Sequence, residues 1–435
     1  MKTESLVEWN PWWSKKPEFN LLERDLEKEL SGWLKRKEII AIMGVRRSGK
    51  TSLCKLVIEH LLERIDPKNV FFIKADDERV EKQGLISHSL EAYREFMNPQ
   101  GKIFVFIDEI QEIPEWESTL KRMYDLESDV KFFISGSNFS VLREDLSFKL
   151  AGRCAYFDIY PFSFGEFLRH ALSKDVSNKV KRVAMKKEIQ HHLFKYMEFG
   201  GFPEVVLEPD EKKKTQLLRF YYDTIVYRDI IRRREIRSAA KMENMINYFL
   251  QNIANTANFT KVAEHAALST DSITEYARYL QDAFFIFSMP LFSYSVKKQE
   301  INPKKIYCVD TGLRNIKGFR FSQDYGRLME NIVFIELRRR MSANPLAEIF
   351  YWSNKKSEVD FLIKAGVRAK ELVQVCWDYE EESVQKREID GLMNAMQELK
   401  LSQGTLITKD TEGQQVNAGK KVKIVPLWNW LLEEQ

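Results

Sequence analysis

Eight consecutive residues, Gly44-Val45-Arg46-Arg47-Ser48-Gly49-Lys50-Thr51, carry the clearest chemical signal in the chain. They fit the pattern G-x-x-x-x-G-K-[ST], in which glycines let the backbone turn its N–H groups onto a polyphosphate. The spacing places Lys50 on the β- and γ-phosphates and Thr51 on Mg²⁺. Gly44, Arg46, Arg47, Ser48, Gly49 and Ser52 complete the expected nucleotide cradle. Asp108-Glu109 forms a second set, closing an apolar run. There Asp108 suits holding Mg²⁺ through water, and Glu109 suits polarising an attacking water as general base. Ser137 or Asn138, at the next strand end, is placed to sense a γ-phosphate by hydrogen bond. Arg153 opens a further apolar run, where its charge could stabilise phosphoryl transfer in a neighbouring subunit. That role requires an oligomer; a surface ion pair is the competing one.

These groups need a scaffold, and the flanking patterns supply it. Residues 38–43 read as a short buried strand and 52–64 as a helix with Leu53, Leu56, Val57, His60 and Leu61 inward. Further continuous apolar strands are expected at 70–74, 102–107, 130–134 and 154–159, separated by helical segments. Strands of this kind imply a parallel sheet covered on both faces, an α/β core. Upstream, 20–35 is helical by period, with Leu22, Leu26, Leu30 and Leu34 on one face. Trp9, Trp12 and Trp13 are too apolar for a free tail and are expected to dock on the body or a neighbouring subunit.

With 435 residues, the chain has room for two to four domains. A charge of +4, from 68 basic and 64 acidic residues, does not by itself argue for a polyanionic partner. Four dispersed cysteines and six histidines offer neither a disulfide framework nor a structural zinc site. No uninterrupted apolar run approaches membrane-spanning length, so the expectation is a cytoplasmic protein with no membrane partner.

Together the segments GVRRSGKT, FIDEIQ, SGSN and LAGR, followed by YPFSFGEFL, resemble AAA+ type P-loop ATPases common in archaea and bacteria. GGFPEVV, YRDIIRRREI, KIYCVDTGLR, GRLMENIVFIELRRR, SEVDFLI and LVQVCW resemble the C-terminal domain of unknown function that accompanies that module. The resemblance spans nearly the whole chain. It implies an AAA+ type core at 31–170 behind a tryptophan-rich segment at 1–30, then a helical lid at 171–240. A winged-helix-like part at 241–300 and a PD-(D/E)xK nuclease-like α/β domain at 301–435 would follow. ATP and Mg²⁺ are the implied cofactors, with Pro203 of Gly200-Gly201-Phe202-Pro203 touching the adenine as in lids of related ATPases.

Residues 222–237 hold Arg228, Arg232, Arg233, Arg234 and Arg237, four of which share a helical side and could follow phosphates. Residues 260–266 and 270–282 read as helix, turn and helix, with a hydrophobic wing at 284–291. The second helix carries Asp271, Glu275 and Asp282 against Arg278, a poor surface for a phosphate backbone. The pairs Lys297-Lys298 and Lys304-Lys305 are basic candidates for such contact instead.

The last domain reads as a helix at 326–340, strands at 348–352, 357–363 and 371–377, a helix at 384–399 and a strand at 404–408. An active nuclease of this shape combines a helix acid, a strand aspartate and E-x-K. Glu330 and Asp360 are present, but Gln374-Val375-Cys376 stands where E-x-K would be, so cleavage is expected to be lost. Arg338, Arg339, Arg340, Lys355 and Lys356 remain as a binding surface for nucleic acid or protein. The combined expectation is an ATP-hydrolysing AAA+ type protein that works as a ring or other oligomer and couples turnover to DNA or RNA. Its rivals are a nucleotide-controlled switch recruiting a protein through the C-terminal domain, and an ATP-gated nuclease.

Overall fold

In the computed structural model, residues 3–137, 150–172, 178–317, 324–342, 344, 346–354 and 357–433 are described. Asn138, Lys355 and Lys356 lie outside them. Two compact units emerge: Met1–Tyr160 with Asp282–Phe284, and Pro161–Gln281 with Phe285–Gln435.

The first unit is built on five parallel strands, β1 (Ile39–Met43), β2 (Val70–Lys74), β3 (Ile103–Asp108), β4 (Val130–Gly136) and β5 (Cys154–Asp158), in the order β2-β3-β4-β1-β5. β1 and β3 are buried along their whole length, as continuous apolar runs require of a sheet covered on both faces. Phe106 and Phe133 stack 4.5 Å apart across β3 and β4. The helix Lys50–Leu62 buries Leu53, Leu56, Val57 and Leu61 as expected. His60, expected inward, is exposed and pairs with Glu27, while Cys54 and Ile58 take up the core face.

The expected helix at 20–35 shrinks to Asp25–Ser31. Arg24 is extended (φ −124°, ψ 133°) because its guanidinium is fixed by the carbonyls of Ser48 and Tyr160, each at 2.8 Å. Ahead of it, the tryptophan-rich segment docks on β2, the edge strand. Asn10 bonds both the N–H (2.6 Å) and the carbonyl (2.9 Å) of Phe72, and the indoles of Trp12 and Trp13 donate to Val70 O at 3.0 Å. Edge-strand groups that would otherwise invite another chain are thereby satisfied.

The second unit begins with helices, of which Lys186–Phe199, Pro203–Leu207 and Glu211–Asp223 are the main members before a π-helix, Thr224–Arg232. Helix Ala239–Gln251, strand β6 (Thr256–Ala257), helices Phe259–Ala266 and Thr270–Asp282, and strands β7 (Ile286–Met289) and β8 (Lys304–Cys308) follow. Their antiparallel sheet has the order β6-β8-β7. Its central strand, β8, falls outside the span 241–300.

The helix Tyr325–Met341 then leads to β9 (Ala347–Ser353), β10 (Glu358–Ala365) and β11 (Arg368–Cys376), an antiparallel meander. Helix Glu382–Glu398 crosses to β12 (Gln403–Thr408), which lies parallel to β11. Two strands not anticipated, β13 (Gly413–Asn417) and β14 (Lys420–Pro426), extend the six-stranded sheet to β13-β14-β12-β11-β10-β9. Leu362, Leu372, Leu392, Met396, Leu406 and Val422 form the centre of its core.

Candidate functional site

The phosphate loop joins the buried end of β1 to the helix Lys50–Leu62. Its two glycines act differently. Gly49 caps the helix with φ 98°, a backbone that a side chain would strain. Gly44 is required by proximity, since a Cβ there would lie 2.1 Å from the carbonyl oxygen of Ile159. Arg47 also takes a left-handed backbone, at φ 70°. The Arg24 bond to Ser48 O braces the loop from outside, a positioning contact that the sequence did not disclose because the partners lie 24 residues apart.

Lys50 is buried, and its ammonium donates to the carbonyls of Gly44 (3.1 Å) and Val45 (3.2 Å). The Ser48 hydroxyl is buried with no hydrogen-bond partner. An ammonium resting on loop carbonyls and an orphaned hydroxyl fit a cradle made for anionic oxygen.

Asp108, at the end of β3, faces the first turn of that helix. Thr51 Oγ1 donates to Asp108 Oδ2 at 2.7 Å, and the Ser135 hydroxyl donates to Asp108 Oδ1. Burial, then the charge of Glu109, push the Asp108 carboxyl above its ordinary pKa despite those bonds. A buried carboxylate beside a helix-terminal hydroxyl is a hard-oxygen donor pair, which fits Mg²⁺.

Glu109 adopts φ 53° and ψ 51°, a left-handed conformation uncommon for a glutamate. Its backbone N–H donates to Ser135 Oγ at 3.2 Å, and its carboxylate accepts from Ser137 Oγ (3.2 Å) and from Gln111. Burial opposes its ionisation, but Lys50, Gln111, Arg46 and Ser137 outweigh it and hold the carboxyl below its ordinary pKa. Two neighbouring acids thus have pKa values driven apart. The structure therefore brings Lys50, Thr51, Asp108 and Glu109 into one site and adds Ser135 and Gln111, which sequence reasoning had not assigned. The only sequence signal for Ser135 is its place at a strand end beside β3.

Arg46 is half-buried, whereas Arg47 and Ser52 are exposed. Arg153 lies at the mouth of β5, where its guanidinium makes two bonds to Asp125, at 2.9 and 3.1 Å. In the second unit, Pro203 opens the helix Pro203–Leu207. The preceding Gly200 has φ 73° and lies so near Asp310 that a Cβ would fall 1.9 Å from its carboxylate. Asp310 accepts from the N–H groups of Gly201 (2.7 Å) and Gly312 (2.8 Å).

Among the expected basic surfaces, Arg228, Arg232, Arg233 and Arg237 are exposed, though the π-helix stops at Arg232 and Arg237 lies beyond it. Arg234 instead stacks on Tyr279, 4.7 Å from the ring centre. The run 338–340 is not a free basic face. Arg338 covers Phe287, Arg339 bonds Glu336 and Pro161 O, and Arg340 bonds Glu336 and Trp430 O. Lys305, expected to offer charge to a phosphate backbone, is buried among carboxylates.

Comparison with known proteins accords with the geometry. An AAA domain matches residues 36–168, and two domains of unknown function (DUF8612 and DUF4143) match 190–322 and 325–430. An uncharacterized protein of Methanocaldococcus jannaschii is 33% identical over 95% of this chain and 91% of its own length. One from Haemophilus influenzae is 27% identical over 91% and 94%. Among solved structures, C. elegans PCH-2 aligns with a TM-score of 0.31 and 16% identity over 50% of this chain and 66% of its own. A STAND protein with a tetratricopeptide repeat sensor from Pyrococcus horikoshii gives 0.27 and 10%, over 76% and 47%. This chain thus spans less than two thirds of either solved chain. Among the described residues no helix is long and apolar enough to cross a membrane. Identity of 33% across nearly the whole chain, with the AAA domain at its head, establishes that the protein belongs to the family in which an ATPase-class AAA domain is followed by two domains of unknown function.

Proposed function

We propose that the chain binds and hydrolyses ATP in the first unit and couples turnover to nucleic acid through the second, working as an oligomer. The observation that carries the hydrolytic reading is the 2.7 Å bond between Thr51 and Asp108, with Glu109 held ionised beside them. Lys50 exchanges its loop carbonyls for β- and γ-phosphate oxygens, and the orphaned Ser48 hydroxyl gains an acceptor. Thr51 and Asp108 would hold Mg²⁺, which would supply charge neutralisation for the phosphates. Glu109 accepts a hydrogen bond from the attacking water, oriented by Ser137 and Gln111. Arg153 exchanges its solvent-screened pair with Asp125 for a neighbour's γ-phosphate.

The succession helix, β6, helix, helix, β7, β8 and the order β6-β8-β7 support a winged-helix module. Beside it, the exposed Arg228, Arg232, Arg233 and Arg237 supply charge for phosphates. A second reading, a nucleotide-controlled switch that recruits a protein, is favoured by one observation: Asp271 and Glu275 are exposed on the helix that would otherwise meet a groove.

Steady-state ATPase rates with and without single-stranded, duplex and branched DNA and RNA, over a salt series, test the proposal. Lys50→Ala serves as control. Salt-sensitive stimulation by one polymer supports coupling to nucleic acid. A slow rate indifferent to all of them moves the reading to the switch, and magnesium-dependent turnover unaffected by Lys50→Ala overturns the hydrolytic assignment itself.

A further inference from the structure

The C-terminal domain places three carboxylates around one point. Glu330 comes from the helix Tyr325–Met341, while Glu358 and Asp360 come from β10. The point is already taken. The ammonium of Lys305, from β8, lies 3.1 Å from Glu330 Oε1, 2.8 Å from Glu358 Oε1 and 2.9 Å from Asp360 Oδ1. Its side chain is 4% exposed, so no competing water shell solvates the charge.

Several other polar atoms of the cluster have partners inside the protein, while the Glu358 side chain reaches solvent. Tyr307 donates to Glu330 Oε1 at 2.7 Å, and the Val375 N–H donates to Asp360 Oδ2 at 3.0 Å. Gln374, standing where a nuclease would carry a third acid, accepts the Asp360 N–H (3.0 Å) and donates to Glu388 (2.8 Å). A divalent ion at this point would meet a cation within contact distance, and the donor set does not fit one.

We propose that Lys305 is a built-in cation that takes the place of a divalent metal, making the C-terminal domain a metal-free centre locked by an ammonium. Burial favours the neutral amine, but Asp360, Glu330 and Glu358 outweigh it and hold Lys305 charged. The ammonium joins β8 of the three-stranded sheet to the helix and strand of the six-stranded one, so the same charge ties two parts of the second unit together.

The test uses full-length, nucleotide-free protein in a Thr51→Ala background, which removes the hydroxyl at the phosphate loop as a metal ligand, and Mn²⁺ as probe. Without Lys305→Ala, Mn²⁺ at about 1 mM is expected to leave Tm unchanged and to produce no cleavage of duplex DNA or RNA. Lys305→Ala is expected to lower Tm in EDTA and to regain on the order of 5 °C with Mn²⁺. Adding Asp360→Asn is expected to abolish that recovery. If Lys305→Ala does not fold, Mn²⁺ binding to the Thr51→Ala protein, read from its free-ion electron spin resonance signal, decides alone. Absence of any Asp360-dependent binding supports the built-in cation. Stoichiometric binding lost on Asp360→Asn, or Mn²⁺-dependent cleavage lost on Asp360→Ala, overturns it.

Discussion

Replacing Glu109 by glutamine separates the hydrolytic role of this residue from its structural one. The side chains are nearly the same size, and the glutamine oxygen can still accept from Ser137 and Gln111. The left-handed backbone at φ 53° is held by β3, β4 and the Ser135 hydroxyl, none of which changes. Stability should therefore move by less than about 1 kcal/mol. ATP affinity should stay within about twofold, because Lys50 and the loop amides are untouched. The loss falls on the water. A positioned general base contributes about 10²–10⁴-fold, equivalent to about 3–5 kcal/mol of barrier. Phosphate release measured beside nucleotide-binding titrations, with Lys50→Ala as the binding-deficient control, checks both halves. Turnover within about threefold of the unaltered protein refutes the base assignment. Loss of ATP binding would show that Glu109 acts on the architecture of the loop.

Four other outcomes follow from the geometry. If Arg153 acts between subunits, mixing equal amounts of inactive Arg153→Ala and Glu109→Gln proteins restores about a quarter of the unaltered protein's rate per site, since that share of interfaces is intact on both sides; no recovery places the residue outside a neighbour's site. Asn10→Ala leaves the Phe72 N–H and carbonyl on β2 without their partner and should cost about 2–4 kcal/mol, read from the urea midpoint. Gly200→Ala drives a Cβ into the Asp310 carboxylate and strains φ 73°, so a loss on the order of 3 kcal/mol or more is expected by thermal melting. Burial lifts Asp310 to about 6, so its folded pKa exceeds its unfolded one: its contribution to stability is full below pH 4 and is lost as pH rises toward 6. Two units correspond to about 3 kcal/mol, and Asp310→Asn should flatten that part of the urea-midpoint profile.

The parallel core could be read almost residue by residue because its strands are short, continuous apolar runs. β2 matches the expected 70–74, and β3 and β4 differ only at their ends. The exposed β13 carries no such signal: every residue from Gly413 to Asn417 faces solvent. The helix expected at 20–35 failed for a nonlocal reason, the attachment of Arg24 to Ser48 and Tyr160. Ser135 was hidden because its importance depends on β3 and β4 lying side by side. Lys305 illustrates the limit best. In sequence it is half of an ordinary basic pair, and only its approach to Glu330 and Asp360, 25 and 55 residues later, turns it from a surface charge into a buried one.

The docking of Asn10, Trp12 and Trp13 on β2 also bears on the order in which the sheet can assemble. These residues precede Val70 and Phe72 by about sixty positions, and so leave the ribosome before the strand they cover. β3, the partner on the other side, emerges about thirty residues after β2. During synthesis, therefore, β2 can find its outer neighbour before its inner one exists. The sheet then has a finished side from which growth proceeds in one direction, through β3 and β4, with β1 and β5 completing the far side.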